Sequence, residues 1–123
     1  LTIERNKQQD FRRLWRACGY SWQGLKAAWI EERAFREEVA LAVVLVPAAV
    51  HYGHSGLERA ALIAPVILVL IVELLNSALE AIVDRGGLVK DRLAAMAKDM
   101  GSAAVLLSLL LLLSVWVLIL SAR

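Results

Sequence analysis

The sequence has a single cysteine, Cys18, which excludes an intramolecular disulfide and leaves the redox compartment open. Its thiol reads as a small buried filler. Two histidines, His51 and His54, are too few for a metal-ligand set, and with Gly53, Ser55 and Gly56 they read as a short external turn. No GxxxxGK[ST] loop occurs, and the glycine-rich and HRD-type signatures of protein kinases are missing too. Any nucleotide site must therefore be of another kind. The N-terminal stretch runs charged from Glu4 to Arg16, without a short apolar core and small-residue cleavage site, so no cleavable signal peptide is expected. There is no internal repeat.

What is there is apolar. In 123 residues, room for one domain, 59% are of the AVILMFWYC class, and the mean hydropathy of +0.61 lies outside ordinary soluble composition. Three apolar runs stand out, Val39 to Val50, Ala60 to Val83 and Met100 to Leu120. A bilayer core of about 30 Å takes about 20 helical residues to cross, so the second and third runs qualify and the first falls short unless its helix begins near Ala34. Arg36, Glu37 and Glu38 would then lie at the interface.

Charge resolves the first run. Arg5, Lys7, Arg12, Arg13, Arg16, Lys26, Arg33 and Arg36 precede it, and Arg85, Lys90, Arg92 and Lys98 lie between the second and third runs. The opposite side holds only Arg59 and Arg123. Cytoplasmic flanks are rich in Lys and Arg, so the N-terminus and the 84–99 loop share the cytoplasm and an even number of crossings separates them. The expected fold is an all-α integral membrane protein, one domain over 1–123, with transmembrane helices at about 34–52, 60–84 and 99–120. Ahead of them, residues 10–32 mix Phe11, Leu14, Trp15, Trp22, Leu25 and Trp29 with basic residues, interrupted by Gly19 and Gly24. That pattern predicts two short amphipathic helices on the cytoplasmic surface. Their tryptophans read as interfacial anchors or as the walls of a lipid cleft. Tyr52 and Trp116 are expected in the aromatic belt at the opposite boundary.

The second run carries the chemistry. At 100° per residue, Asn76 sits about 60° to one side of Glu73, Glu80 and Asp84 fall within about 20° of it, and Ser77 lies on the other flank. Leu70, Leu74, Ala78 and Ile82 form the opposite, lipid-like side. Carboxylates at membrane depth cost several kcal/mol each, so such residues face a protein interior or a wet cavity. Glu73 and Glu80 lie about 10 Å apart along the axis, a gap that suits a phosphoryl group between a metal and a hydroxyl. Mg²⁺ needs more than Glu80 alone, and Glu31 and Glu32 can fold back to supply another acid. Lys98 and Asp99 offer a cation and an acceptor at the mouth of the third span. A proton or cation path is the competing reading, but Ala61 to Val72 is entirely apolar, so the acids open toward the cytoplasm only.

The stretches GYSWQGLKAAWIEERAFREE (Gly19 to Glu38), VELLNSALEAIVDR (Val72 to Arg85) and AKDMGSAAVL (Ala97 to Leu106) resemble the bacterial integral membrane diacylglycerol kinases, a likeness that covers nearly the whole chain. The resemblance implies a homotrimer in the bacterial inner membrane, N-terminus cytoplasmic, that moves the γ-phosphate of ATP onto diacylglycerol. It implies Glu73 as general base with Asn76 orienting the site, and Glu32 and Glu80 as Mg²⁺ ligands. ATP contacts would come from Arg13, Tyr20, Glu32, Glu80, Val89, Lys90, Asp91, Lys98 and Asp99. Lipid contacts would come from Arg13, Ser21, Trp22, Lys26, Trp29, Phe35, Glu38, Glu73 and Ser102. Each site would lie between neighbouring subunits, and no nucleic acid is expected as a partner. The 86–95 loop and Pro47 depart from the family pattern. The related undecaprenol kinases share the glutamates of the second span, whereas GYSW and AAWIEE favour diacylglycerol.

Overall fold

A computed structural model describes residues 2–86 and 91–123. Among these residues the chain forms four helices and no strand: α1 Thr2–Glu31, α2 Arg33–Tyr52, α3 Gly56–Asp84 and α4 Arg92–Ser121. One extended residue, Glu32 (φ −113°, ψ 107°), separates α1 from α2. A short turn at 53–55 separates α2 from α3. There the Ser55 side chain accepts from the Glu58 N–H at 3.1 Å, satisfying one free donor of the first turn of α3. Gly53 N–H closes α2 on Ala49 O at 2.9 Å, and Arg59 and the Ala49 carbonyl leave no room there for a side chain.

The N-terminal region departs from its expectation. It is one helix of 30 residues rather than two short ones. A helical glycine costs about 1 kcal/mol relative to alanine, and Gly19 and Gly24 bear that cost without ending the helix. The filler role for Cys18 also fails, since its side chain is exposed. Only the C-terminal part of α1 meets the rest of the fold, and Ala28 is its one buried residue.

α3 packs against both α2 and α4 and carries most of the core. Ala42, Val66, Val69 and Leu112 form its centre, flanked by Leu45, Val46, Leu70 and Trp116. Trp116, expected in the lipid-facing belt, turns inward and donates its indole N–H to Leu62 O at 3.0 Å. An indole that can bury its ring and satisfy its donor in one step gains more inside than at the interface. At the same end, Arg123 donates to Tyr52 O at 2.5 Å and pairs with Glu58, while Arg59 Nε donates to Val50 O at 3.1 Å. These bonds satisfy carbonyls that the last turn of α2 leaves free.

Two of the four helices, α3 and α4, are long and apolar enough to cross a membrane. α2 has 20 residues, with Arg33, Arg36, Glu37 and Glu38 in its first two turns. Its apolar part, residues 39–52, rises about 21 Å, short of the hydrocarbon thickness.

Candidate active site

Glu73 is 4% exposed, the one buried charged side chain among the described residues. α3 places it deep because the residue belongs to the face that meets α2. There its carboxyl has Glu38 of α2 as a neighbour, with Glu32 and Glu80 further off. Glu38 Oε2 and Ser77 Oγ are buried without a hydrogen-bond partner.

Further along the same face, Asn76 Nδ2 donates to Glu80 Oε1 at 3.4 Å. Gly101 of α4 is buried against Asn76. Nearer the helix ends, Lys98 pairs with Asp84 at 3.0 Å and ties α4 to α3. Lys98 precedes the apolar stretch of α4, and the hydrogen bond and charge of Asp84 raise its pKa above the ordinary lysine value. The ion pair is largely exposed, so water screens it and it adds little to stability.

Glu32 arrives through the sharp joint between α1 and α2. Arg36 Nη1 donates to Trp29 O at 2.8 Å and to Ile30 O at 3.1 Å, capping carbonyls that the end of α1 leaves without partners. The joint lays the end of α1 alongside α3. Between the two helices opens a cleft of about 580 Å³ with mainly apolar walls from Leu25, Ala28, Leu74, Ala78 and Ala81, and with Ser21, Glu31, Glu32 and Ser77 as its polar groups. Such a space suits a lipid backbone presented to carboxylates. No three His, Cys, Asp or Glu side chains among the described residues form a ready metal-ligand group. The donors are carboxylate oxygens, which fit Mg²⁺ completed by phosphate oxygens and water, and they offer nothing to soft metals.

The structure thus gathers Glu32, Glu38, Glu73, Asn76 and Glu80 around one face of α3, with Ser21 on the cleft. It does not gather the rest. Tyr20, Trp22 and Trp29 are 69%, 70% and 49% exposed, and Arg13, Lys26, Asp99 and Ser102 are exposed as well. Phe35, expected against the lipid, is 4% exposed and belongs to the packing. Asp91, expected at the nucleotide, caps α4 by accepting from the Ala94 N–H at 2.6 Å. Val89 and Lys90 lie outside the described residues. Sequence reasoning passed over Arg36 and Gly101. A glycine opening the small-residue run GSAA inside an apolar helix is the signal of close helix approach that could have found the latter.

An all-helical membrane protein with a buried glutamate in a long apolar helix and a second glutamate beside it belongs to a narrow class. The family model for prokaryotic diacylglycerol kinase matches residues 19–120. Proteins named diacylglycerol kinase are similar along most of their length: that of Escherichia coli K12 is 46% identical over 115 residues, 94% of each chain. That of Pseudomonas aeruginosa is 49% identical over 113 residues, 92% of each, and that of Helicobacter pylori 26695 is 44% identical over 110, covering 89% of this chain and 86% of the relative. The chain belongs to the prokaryotic diacylglycerol kinase family. It is a kinase of lipid metabolism that transfers a phosphoryl group to an alcohol.

Proposed function

We propose that the chain phosphorylates diacylglycerol to phosphatidic acid with Mg²⁺-ATP at the cytoplasmic face of a bacterial inner membrane. The observation that carries this reading is Glu73, buried at the α2–α3 contact beside Glu38, on the one polar face of α3. The free hydroxyl of diacylglycerol gives its proton to the Glu73 carboxylate as its oxygen bonds to the γ-phosphorus. The bond from that phosphorus to the bridging oxygen breaks, and ADP leaves with the electron pair. Asn76 orients Glu80, and Glu32 and Glu80 hold Mg²⁺, which neutralises phosphate charge when bound. Lys98 attracts the phosphates. Because Glu73 lies deeper than Glu80 by about 10 Å, the lipid hydroxyl approaches from the membrane and the nucleotide from the cytoplasm.

Three crossings fit this arrangement, with α2 spanning once Arg36, Glu37 and Glu38 sit at the interface or against partner groups, and with the N-terminus cytoplasmic by the Lys and Arg distribution. A homotrimer, as the family resemblance implies, explains why Arg13, Tyr20, Asp99 and Ser102 stay exposed in one chain. A neighbouring copy would bring its own set of these residues to complete the site.

Purified protein in mixed micelles with Mg²⁺-ATP, offered diacylglycerol and undecaprenol side by side, tests the substrate. Phosphatidic acid is the expected main product, and preferential undecaprenyl phosphate formation would reassign the chain to the related specificity. In the same assay Glu73→Gln is expected to lose roughly 10²-fold or more in kcat with the extracted oligomer intact. Full activity would remove Glu73 as the base.

A further inference from the structure

The buried contact between α4 and the polar face of α3 falls on a single glycine. A methyl group built on Gly101 would overlap Asn76 Oδ1, would lie 3.3 Å from Asn76 Cγ, and would meet Leu79 Cδ2 at an ordinary 3.7 Å. The obstruction is therefore specific to the carboxamide. That carboxamide is constrained on its other side too, since its Nδ2 donates to Glu80 Oε1 at 3.4 Å. Asn76 Oδ1 is buried with no hydrogen-bond donor, resting against the glycine surface, where only weak Cα–H contacts are within reach. An amide in this setting has one orientation in which its nitrogen serves the acid and its oxygen meets no side chain. A side chain at 101 makes the Asn76 carboxamide turn away, and that turn breaks its bond to Glu80.

We infer that Gly101 is a positioning residue for the phosphoryl-transfer site: its missing side chain lets the Asn76 carboxamide lie flat against α4 and so aims Glu80. Gly101 meets Asn76 and Leu79 and acts on the site through Asn76. The inference rests on the reading of Asn76 and Glu80 as parts of the Mg²⁺-ATP site. A shift of the amide by about 1 Å would carry Glu80 with it, and misplacement of that size costs up to about a hundredfold in rate.

The test is a double-mutant cycle in the full-length protein, purified in detergent, with kcat and the Mg²⁺ concentration for half-maximal activity as readouts. Gly101→Ala is expected to lower kcat roughly ten- to a hundredfold and to raise the Mg²⁺ requirement, with the oligomer retained. Asn76→Ala removes the overlapping atoms. In that background Gly101→Ala should change neither readout further, and this comparison remains available if Gly101→Ala alone fails to fold. Two results overturn the inference: Gly101→Ala behaving as the parent while Asn76→Ala is impaired, or Gly101→Ala lowering activity again in the Asn76→Ala background. Full activity and unchanged Mg²⁺ dependence of Asn76→Ala itself would instead remove Asn76 from the site and take both readings down together.

Discussion

Glu73 and Glu80 share a helix face but not an environment. Glu73 is 4% exposed, against α2, whereas Glu80 is half-buried and bonded to Asn76. The proposed chemistry divides in the same way, with the deep acid as proton acceptor for a lipid hydroxyl and the shallow one as a ligand to a metal that meets solvent-borne phosphates. Substituting the shallower acids should therefore leave a different signature from substituting the deep one. Glu80→Gln and Glu32→Gln are expected to raise the Mg²⁺ concentration for half-maximal activity by roughly tenfold or more. A magnesium titration superimposable on that of the parent would exclude the substituted residue as a ligand.

At the scale of elements, side-chain-to-carbonyl bonds hold helices in place. Arg36 caps α1 and sets the joint at Glu32, and Trp116 anchors α4 to α3 through Leu62 O. Pro65 lies one turn beyond Ala61 and has no N–H for that residue's carbonyl, so the backbone around Leu62 already departs from a complete helical ladder. Trp116→Phe keeps most of the buried ring and deletes only the donor. It should cost about 0.5–1.5 kcal/mol, read as a lower unfolding midpoint in detergent with kcat little changed. An unaltered midpoint would mean that the bond adds nothing beyond packing.

For the whole molecule the number of crossings turns on α2. α3 and α4 are apolar over a membrane's thickness, and α2 depends on charged residues settling at the interface. Labelling from each side of the membrane decides it. Cys18, exposed on α1, should react with an impermeant maleimide only after the cytoplasmic face is opened. His54→Cys in a Cys18→Ser background should react in intact spheroplasts. Equal accessibility from one side would show that α2 does not span.

Much of this was legible in the sequence because it is local. Hydropathy over about 20 residues marks α3 and α4, and a 100° rotation per residue puts Glu73, Asn76, Glu80 and Asp84 on one face whatever the helix packs against. The motif likeness carried the family. What required the tertiary structure was every relation between helices: that α1 continues through Gly19 and Gly24, that Trp116 faces inward, that Glu32 and Glu38 approach Glu73, and that Gly101 makes room for Asn76. These depend on how closely two helices approach and at what rotation, quantities set by the packing of side chains far apart in the chain. The acidic face of α3 and the depth difference between Glu73 and Glu80 are thus properties of the sequence, and the burial of Glu73 beside Glu38 is a property of the fold, because it depends on how α2 packs on α3.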